Sequence, residues 1–132
     1  MKLSVIVAQI IALGEAIAAH SDRELRRRCP DYPLFRLSEL GPPPPQAREL
    51  RTFFHALPPA VVYLLVVLVD LGREIIDAED DLLAAYEDTS NQLRCPRDAA
   101  DYLFGKVIPP DYLQRGLEKL AAAGRDVDAL LA

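Results

Sequence analysis

The chain has 132 residues, 51% of them hydrophobic and 27% charged, which suits one domain with one core and excludes a disordered tail or a collagen-like repeat. The net charge of -5 is unevenly divided, because residues 1–56 carry 8 Lys/Arg against 6 Asp/Glu and residues 57–132 carry 7 against 14. The acidic second half repels polyanions, so any contact with nucleic acid depends on the arginines near residues 23–28.

The N-terminus is predicted to form an amphipathic helix over residues 2–20, which SDRELRRR can extend. Its apolar residues recur at steps of three and four: Leu3, Ile6, Ile10, Leu13 and Ile17. A secretory signal is the alternative, but one positive charge precedes the run, and Gln9 and Glu15 interrupt it. We therefore expect a cytoplasmic protein, with a cleaved signal peptide as the minority interpretation.

The segment AVVYLLVVLV at 60–69 is predicted to lie in a central, buried helix spanning residues 59–76. Ten apolar residues fall short of the roughly 20 that a membrane span needs, so we expect no transmembrane segment. Helical rather than extended structure is favoured because the polar residues share one stripe: Tyr63, Asp70, Arg73, Glu74 and Asp77. Pro58 and Pro59 suit the first turn of a helix.

Proline breaks divide the rest of the chain. Residues 29–45 form an irregular connection that ends in four prolines, which favour an extended spacer. A helix is predicted over 46–57, with one apolar face made of Leu50, Phe53, Phe54 and Leu57. Asp77 is the predicted N-cap of a helix over 78–92, whose apolar side consists of Leu82, Leu83 and Tyr86.

Two short helices are predicted to complete the chain. Pro96 opens a helix to Phe104, which Gly105 stops in a left-handed conformation. Pro109 and Pro110 open the last helix, which runs to about Ala123 and is closed by Gly124; the tail RDVDALLA then forms a final turn or frays. The predicted fold is all-α, a single domain over 1–132 in which four to six helices surround the central one.

A repeated Asp-Tyr-Leu motif stands out in DYLFGKVIPPDYLQRGL, downstream of the Leu-Gly-Arg at 71–73. With ELRTFFHAL at 49–57, these segments resemble a family of small bacterial proteins of unknown function, over residues 47–120. The chain departs from that pattern at Asp70, where a Trp is frequent, and at Glu74-Ile75, where Gly-Asp is usual. The resemblance implies a helical fold and brings no mechanism with it.

The repeat supports two interpretations. In one, each Tyr and Leu packs inward while the Asp bonds a nearby backbone donor, so the motif stabilises the C-terminal helices. In the other, the motif forms a ligand or partner surface: Arg73, Asp101, Tyr102, Gly105, Asp111, Tyr112 and Gly116.

Catalytic and metal sites find little support. Two His (His20 and His55) and two Cys (Cys29 and Cys95) have no metal-ligand spacing, so we expect no metal or cofactor. His20-Ser21-Asp22 cannot form a catalytic triad, because adjacent helical residues point about 100° apart. Phosphate-loop, dinucleotide and esterase motifs do not occur in the sequence.

Four arginines make a candidate anion-binding patch: Arg23, Arg26, Arg27 and Arg28. Tyr32 and Phe35 could stack on bases nearby, and the arginines would lower the pKa of the Cys29 thiol. Acidic neighbours dilute the patch, and basic residues also complement a helix C-terminus, so we do not expect a nucleic-acid partner.

The sequence therefore predicts a non-catalytic protein-interaction or regulatory module that binds a protein partner or itself as a homo-oligomer. The alternative is an enzyme or small-ligand binder whose pocket lies between the central helix and the two Asp-Tyr-Leu segments. A pocket lined by Asp70, Arg73 and Tyr102 would favour this alternative, whereas solid packing there would favour the module.

Overall fold

A computed structural model describes residues 2–28, 43–77 and 81–131. These ranges contain six α-helices packed together, with no strand, which confirms the predicted all-α fold. The helices are α1 (Leu3–Arg28), α2 (Pro45–Ala56), α3 (Pro59–Gly72), α4 (Leu82–Gln92), α5 (Pro96–Lys106) and α6 (Asp111–Ala122), followed by a C-terminal 3-10 helix (Val127–Leu131).

The valine-rich helix α3 is the centre of the bundle, as predicted. Every residue from Val61 to Val69 is buried, and α4, α5 and α6 all pack against it. This continuous burial explains the lack of a polar face, since a helix surrounded by other helices is apolar all round.

The end of α3 corrects the prediction, because the helix stops at Gly72 rather than at residue 76. Glu74 has a φ of 64°, a left-handed conformation that an α-helix cannot continue. The predicted polar stripe is also wrong at its first member, since Tyr63 is buried and its hydroxyl donates to the Leu93 carbonyl at 2.7 Å.

Helix α1 continues through the predicted extension to Arg28 and packs on α2, on α6 and on the C-terminal 3-10 helix. Its buried face carries the predicted apolar residues Leu3, Ile6, Ile10 and Ile17. On α2, Leu50 and Phe54 are buried and Phe53 and Leu57 are partly buried, which confirms the predicted apolar face.

The start of α4 differs from the prediction. Asp81, not Asp77, is the N-cap, and its side chain accepts hydrogen bonds from the backbone amides of Leu83 and Ala84. Leu82 is buried, but Leu83 is 66% exposed and so does not belong to the apolar side of the helix.

Two glycines near the C-terminus behave differently. Gly105 lies inside α5, which ends at Lys106, so its predicted role as a left-handed stop is wrong. Gly124 has a φ of 73° just after α6 and closes that helix as predicted. The tail then forms the 3-10 helix.

The predicted connection at 29–45 lies mostly outside the described residues, which resume at residue 43. Pro44 is extended, with φ -69° and ψ 161°, and Pro45 is the first residue of α2. The proline run therefore leads directly into a helix whose first turn needs no amide donor from Pro45.

Candidate functional site

Several of the predicted motif residues meet at the C-terminal end of α3. Arg73 Nη1 donates to the Tyr102 hydroxyl at 2.6 Å, and the Asp70 carboxyl interacts electrostatically with both residues. The Arg73 Cζ lies 5.8 Å from the ring centroid of Tyr112, and Lys106 Nζ lies 5.5 Å from that of Tyr102. We call Asp70, Arg73, Tyr102, Lys106 and Tyr112 the arginine–tyrosine cluster.

Burial and neighbouring charges act in opposite directions on the carboxyl group of the cluster. Burial raises the pKa of Asp70, while Arg73, the hydrogen bond from Tyr102 and Lys106 act in the opposite direction. Burial, followed by the charge of Asp70, raises the pKa of Tyr102, so its hydroxyl keeps its proton at neutral pH. The hydroxyl accepts from Arg73 and, because it keeps its proton, can donate to the nearby Asp70 carboxyl.

Beneath the cluster, α3 and α6 cross in direct backbone contact at two glycines. A Cβ on Gly72 would collide with the Tyr112 carbonyl oxygen, and a Cβ on Gly116 would collide with the Leu68 carbonyl oxygen. Gly116 therefore serves the close approach of two helices. The contact leaves no space between α3 and the second Asp-Tyr-Leu segment at this point, where the alternative function requires a pocket.

The other motif residues point elsewhere. Leu103 and Leu113, the two motif leucines, are buried. Asp101 faces α2 rather than a backbone donor, with its Oδ1 3.8 Å from His55 Nε2 and 3.9 Å from Arg51 Nη1. Tyr112 is 38% exposed and so does not pack inward.

A small cavity of about 230 Å³ opens beside the cluster. Its lining includes Gly105, Lys106, Asp111, Tyr112 and Arg115, so three of the predicted site residues share it. It is not lined by Asp70, Arg73 or Tyr102, the residues that the alternative function places around its pocket.

Three of the four arginines of the predicted anion-binding patch, Arg23, Arg26 and Arg27, are exposed on α1. Arg27 Nη2 donates to Glu24 Oε2 at 2.9 Å. The Arg28 side chain lies outside the described residues, as do Cys29 and the aromatic residues predicted to stack on bases.

Within the described ranges, no group of three His, Cys, Asp or Glu side chains is arranged to hold a metal ion. Cys95 is an exposed free thiol that precedes α5.

A contact that no sequence motif indicates joins the C-terminal 3-10 helix to α1. The backbone amide and the hydroxyl of Ser4 donate to the two carboxylate oxygens of Asp128 at 2.8 and 2.9 Å. These hydrogen bonds lower the pKa of Asp128. The two residues are 124 positions apart, and neither lies in a motif, so no sequence signal pairs them.

The outer surface of α1 carries several small or apolar side chains that are exposed, including Val5, Ala8 and Ala12. By length and composition, α1 could cross a membrane, as could α2 and α3 together despite the 119° bend between them. In the most apolar 18-residue stretch of α1, 33% of the residues are buried. Beside this surface, a groove of about 820 Å³ runs between α1 and α2, lined by Gln9, Ala12, Leu13, Pro45, Arg48, Glu49, Thr52, Phe53 and Ala56.

A family described as a protein of unknown function (DUF3775) matches residues 47–121 of the chain. The match begins inside α2 and ends inside α6, so it includes the arginine–tyrosine cluster and the crossing of α3 and α6. No curated protein and no solved structure matches the chain. The resemblance expected over 47–120 is therefore confirmed as a family match without an assigned activity.

Proposed function

The chain belongs to the DUF3775 family, and we propose that it is a non-catalytic interaction module that pairs with a second copy of itself through the outer face of α1. The observation that carries the proposal is the burial of only 33% of the most apolar stretch of this helix. Apolar surface left in water by one chain favours a partner that covers it.

The exposed face of α1 has the shape of a helix-packing surface. Five residues share one stripe at steps of three and four, opposite the buried face: Val5, Ala8, Ala12, Ala16 and Ala19. Val5 is 44% exposed, and the four alanines have side chains short enough to let a second helix approach closely. Ala12, at the middle of the stripe, also lines the groove between α1 and α2.

Charge complementarity favours a second copy as the partner, in an antiparallel arrangement about Ala12. Arg23 and Arg26 extend the stripe at the C-terminal end of α1, and both are exposed. Asp128 is held at the opposite end of α1 by Ser4, two residues after the exposed Asp126. Antiparallel pairing of two α1 helices would bring the arginines of each chain toward these carboxylates of the other.

The chemistry of the cluster supports a role without catalysis. Arg73 donates to the Tyr102 hydroxyl, Asp70 interacts electrostatically with both, and α3 and α6 are in contact beneath them. The alternative, an enzyme or ligand binder with a pocket between α3 and the two Asp-Tyr-Leu segments, has less support because this packing occupies the required space.

Sedimentation velocity over a range of protein concentrations tests the proposal. We expect a species of twice the 14.6 kDa chain mass, and we expect Ala12→Glu to shift it to monomer because the carboxylate would be buried between the helices. Ala84→Glu is the matched control, since Ala84 is exposed on α4, away from α1, and should leave the dimer intact. A strict monomer at every concentration, or equal behaviour of the two variants, would contradict the proposal.

We also propose a cytoplasmic location, in which a second chain rather than lipid covers α1. Fractionation of the native host separates these occupants. Recovery of the full-length protein in the soluble fraction is expected, whereas recovery in the membrane pellet, or a mature start near residue 20, would contradict the proposal.

A further inference from the structure

A second cavity, of about 510 Å³, lies where the start of α3, the start of α4 and the C-terminal 3-10 helix meet. Its lining residues are Ala60, Leu64, Asp81, Leu82, Leu83, Tyr86, Arg125, Ala129 and Leu130. The volume is in the range of small-molecule binding sites, which usually combine apolar walls with a few polar groups. The cavity shares no residue with the groove or with the arginine–tyrosine cluster.

Most of the lining residues are apolar, and several of them are packed against the core. Leu64 and Leu82 are buried in the core, whereas Leu83 is 66% exposed. The Tyr86 ring packs edge-on against Tyr63 with 6.1 Å between the ring centroids. An apolar ligand would therefore meet a preformed surface and would cover Leu83, which is otherwise in contact with water.

Among its lining residues the cavity has one cationic and one anionic side chain, and the cationic one can bind an anion. Arg125 is the cation among the lining residues, and its guanidinium has no partner among the described residues. The Tyr86 hydroxyl likewise has no hydrogen-bond partner there. The Asp81 carboxylate also lines the cavity, but one of its oxygens accepts from the amides of Leu83 and Ala84 as the N-cap of α4.

The backbone of Arg125 is held in place by hydrogen bonds of the neighbouring turn and helix. Its amide donates to the Leu120 carbonyl at 3.0 Å, in the turn that the left-handed Gly124 makes after α6. Two residues later the 3-10 helix begins, and Asp128 fastens that helix to Ser4. The segment that contains Arg125 is therefore attached to the fold on both sides, at the end of α6 and at the 3-10 helix.

We propose that this cavity binds a small organic carboxylate with an apolar or aromatic body. The body lies against Leu64, Leu82 and Leu83, the carboxylate binds the Arg125 guanidinium, and the Tyr86 hydroxyl donates a second hydrogen bond. A guanidinium suits this ligand because it can donate two parallel hydrogen bonds to one carboxylate.

Two probes with the same body and opposite charges test the proposal: phenylbutyrate and phenylbutylamine. Titration of each into the labelled protein, followed by NMR, should show that phenylbutyrate shifts the resonances of Leu64, Leu83 and Leu130. The amine should bind at least about 10-fold more weakly, because it cannot accept hydrogen bonds from Arg125. Equal or tighter binding of the amine, or no binding of either probe in the millimolar range, would overturn the proposal.

Single substitutions test whether the ligand binds in this cavity. Arg125→Gln should weaken phenylbutyrate binding by about 10-fold or more, because it removes a charge-assisted hydrogen bond. Arg115→Gln removes an equally exposed cation that does not line this cavity and should leave the affinity unchanged. Leu83→Ala should reduce the affinity for both probes, since it shortens the apolar wall. An unchanged affinity in a folded Arg125→Gln protein would contradict the assignment.

Discussion

The crossing of α3 and α6 gives a stability prediction whose sign depends on backbone contact. In Gly116→Ala, the added Cβ would overlap the Leu68 carbonyl oxygen and lie 3.0 Å from the carbonyl carbon. Both partners are backbone atoms of packed helices, so neither can rotate away, and the helices must separate by roughly 1 Å.

The magnitude follows from two opposing effects. Overpacking of a close contact costs about 3 kcal/mol, and replacing a helical glycine with alanine returns about 1 kcal/mol. We therefore expect Gly116→Ala to lower the free energy of unfolding by about 2 kcal/mol, or the Tm by roughly 6–10 °C. Urea unfolding followed by circular dichroism measures the first quantity, and thermal unfolding measures the second.

Gly105→Ala is the matched control, because Gly105 is also helical but a Cβ there would meet nothing within 4 Å. This variant should be more stable than the wild type by up to about 1 kcal/mol. If Gly116→Ala is instead neutral or stabilising, or if both variants change stability in the same direction, α3 and α6 do not cross as described.

Three further changes address individual contacts. Glu74→Gly should stabilise the fold by about 0.5–1 kcal/mol in urea unfolding, because glycine adopts the left-handed conformation without strain. The exposed ion pair of Glu74 with Lys119, at 3.4 Å, contributes little, so its loss does not offset this gain. A loss of stability in the variant would contradict this prediction. The pKa of Asp70 in the folded protein is raised above its ordinary 3.8, so the folded state keeps this proton to a higher pH than the unfolded state does. The wild-type protein therefore loses stability as the pH rises from 3.8 through the folded-state pKa. Asp70→Asn should therefore gain stability relative to wild type as the pH rises above about 3.8, and a constant difference would refute the sign. Tyr63→Phe should cost about 1 kcal/mol by removing the buried hydrogen bond to Leu93, and an unchanged midpoint would show that this hydrogen bond adds nothing.

Hydrophobic pattern was sufficient to predict the helices and the central position of α3. An uninterrupted run of apolar residues can be covered on all sides only at the centre of a helical bundle, and Val61 to Val69 are all buried. The proline breaks likewise placed the starts of α2, α3 and α5 within one residue, because proline fits the first turn of a helix.

Helix ends and caps were harder to predict, because they depend on single residues. Asp77 and Asp81 are equally good N-cap types, and the structure uses Asp81. Nothing in local sequence indicates that Glu74 adopts the left-handed conformation, although the resemblance placed a glycine at this position in the related proteins. The end of α3 was therefore predicted four residues too late.

In the candidate site, too, some features followed from the sequence and others depended on how the helices pack. The resemblance grouped Arg73 with Tyr102 and Tyr112, and these three residues do meet. The glycines of the same motif could not be told apart, because the contact at Gly116 and the open space at Gly105 arise only when helices pack. Asp101 belongs to the motif but faces α2, since its direction is set by the rotation of α5 rather than by its neighbours in sequence.

The pairing of two α1 helices about Ala12 is tested most directly by a cysteine at that position. Ala12→Cys would be made in a protein in which Cys29 and Cys95 are replaced by serine, with Ala84→Cys in the same background as the control. Close-packed antiparallel helices would place the two introduced thiols opposite each other, within the Cα separation of about 7 Å that a disulfide allows. Mild oxidation should convert the Ala12→Cys protein to a covalent dimer on a non-reducing gel and leave the Ala84→Cys control monomeric. No cross-link at residue 12, or equal cross-linking of both variants, would contradict self-association through α1.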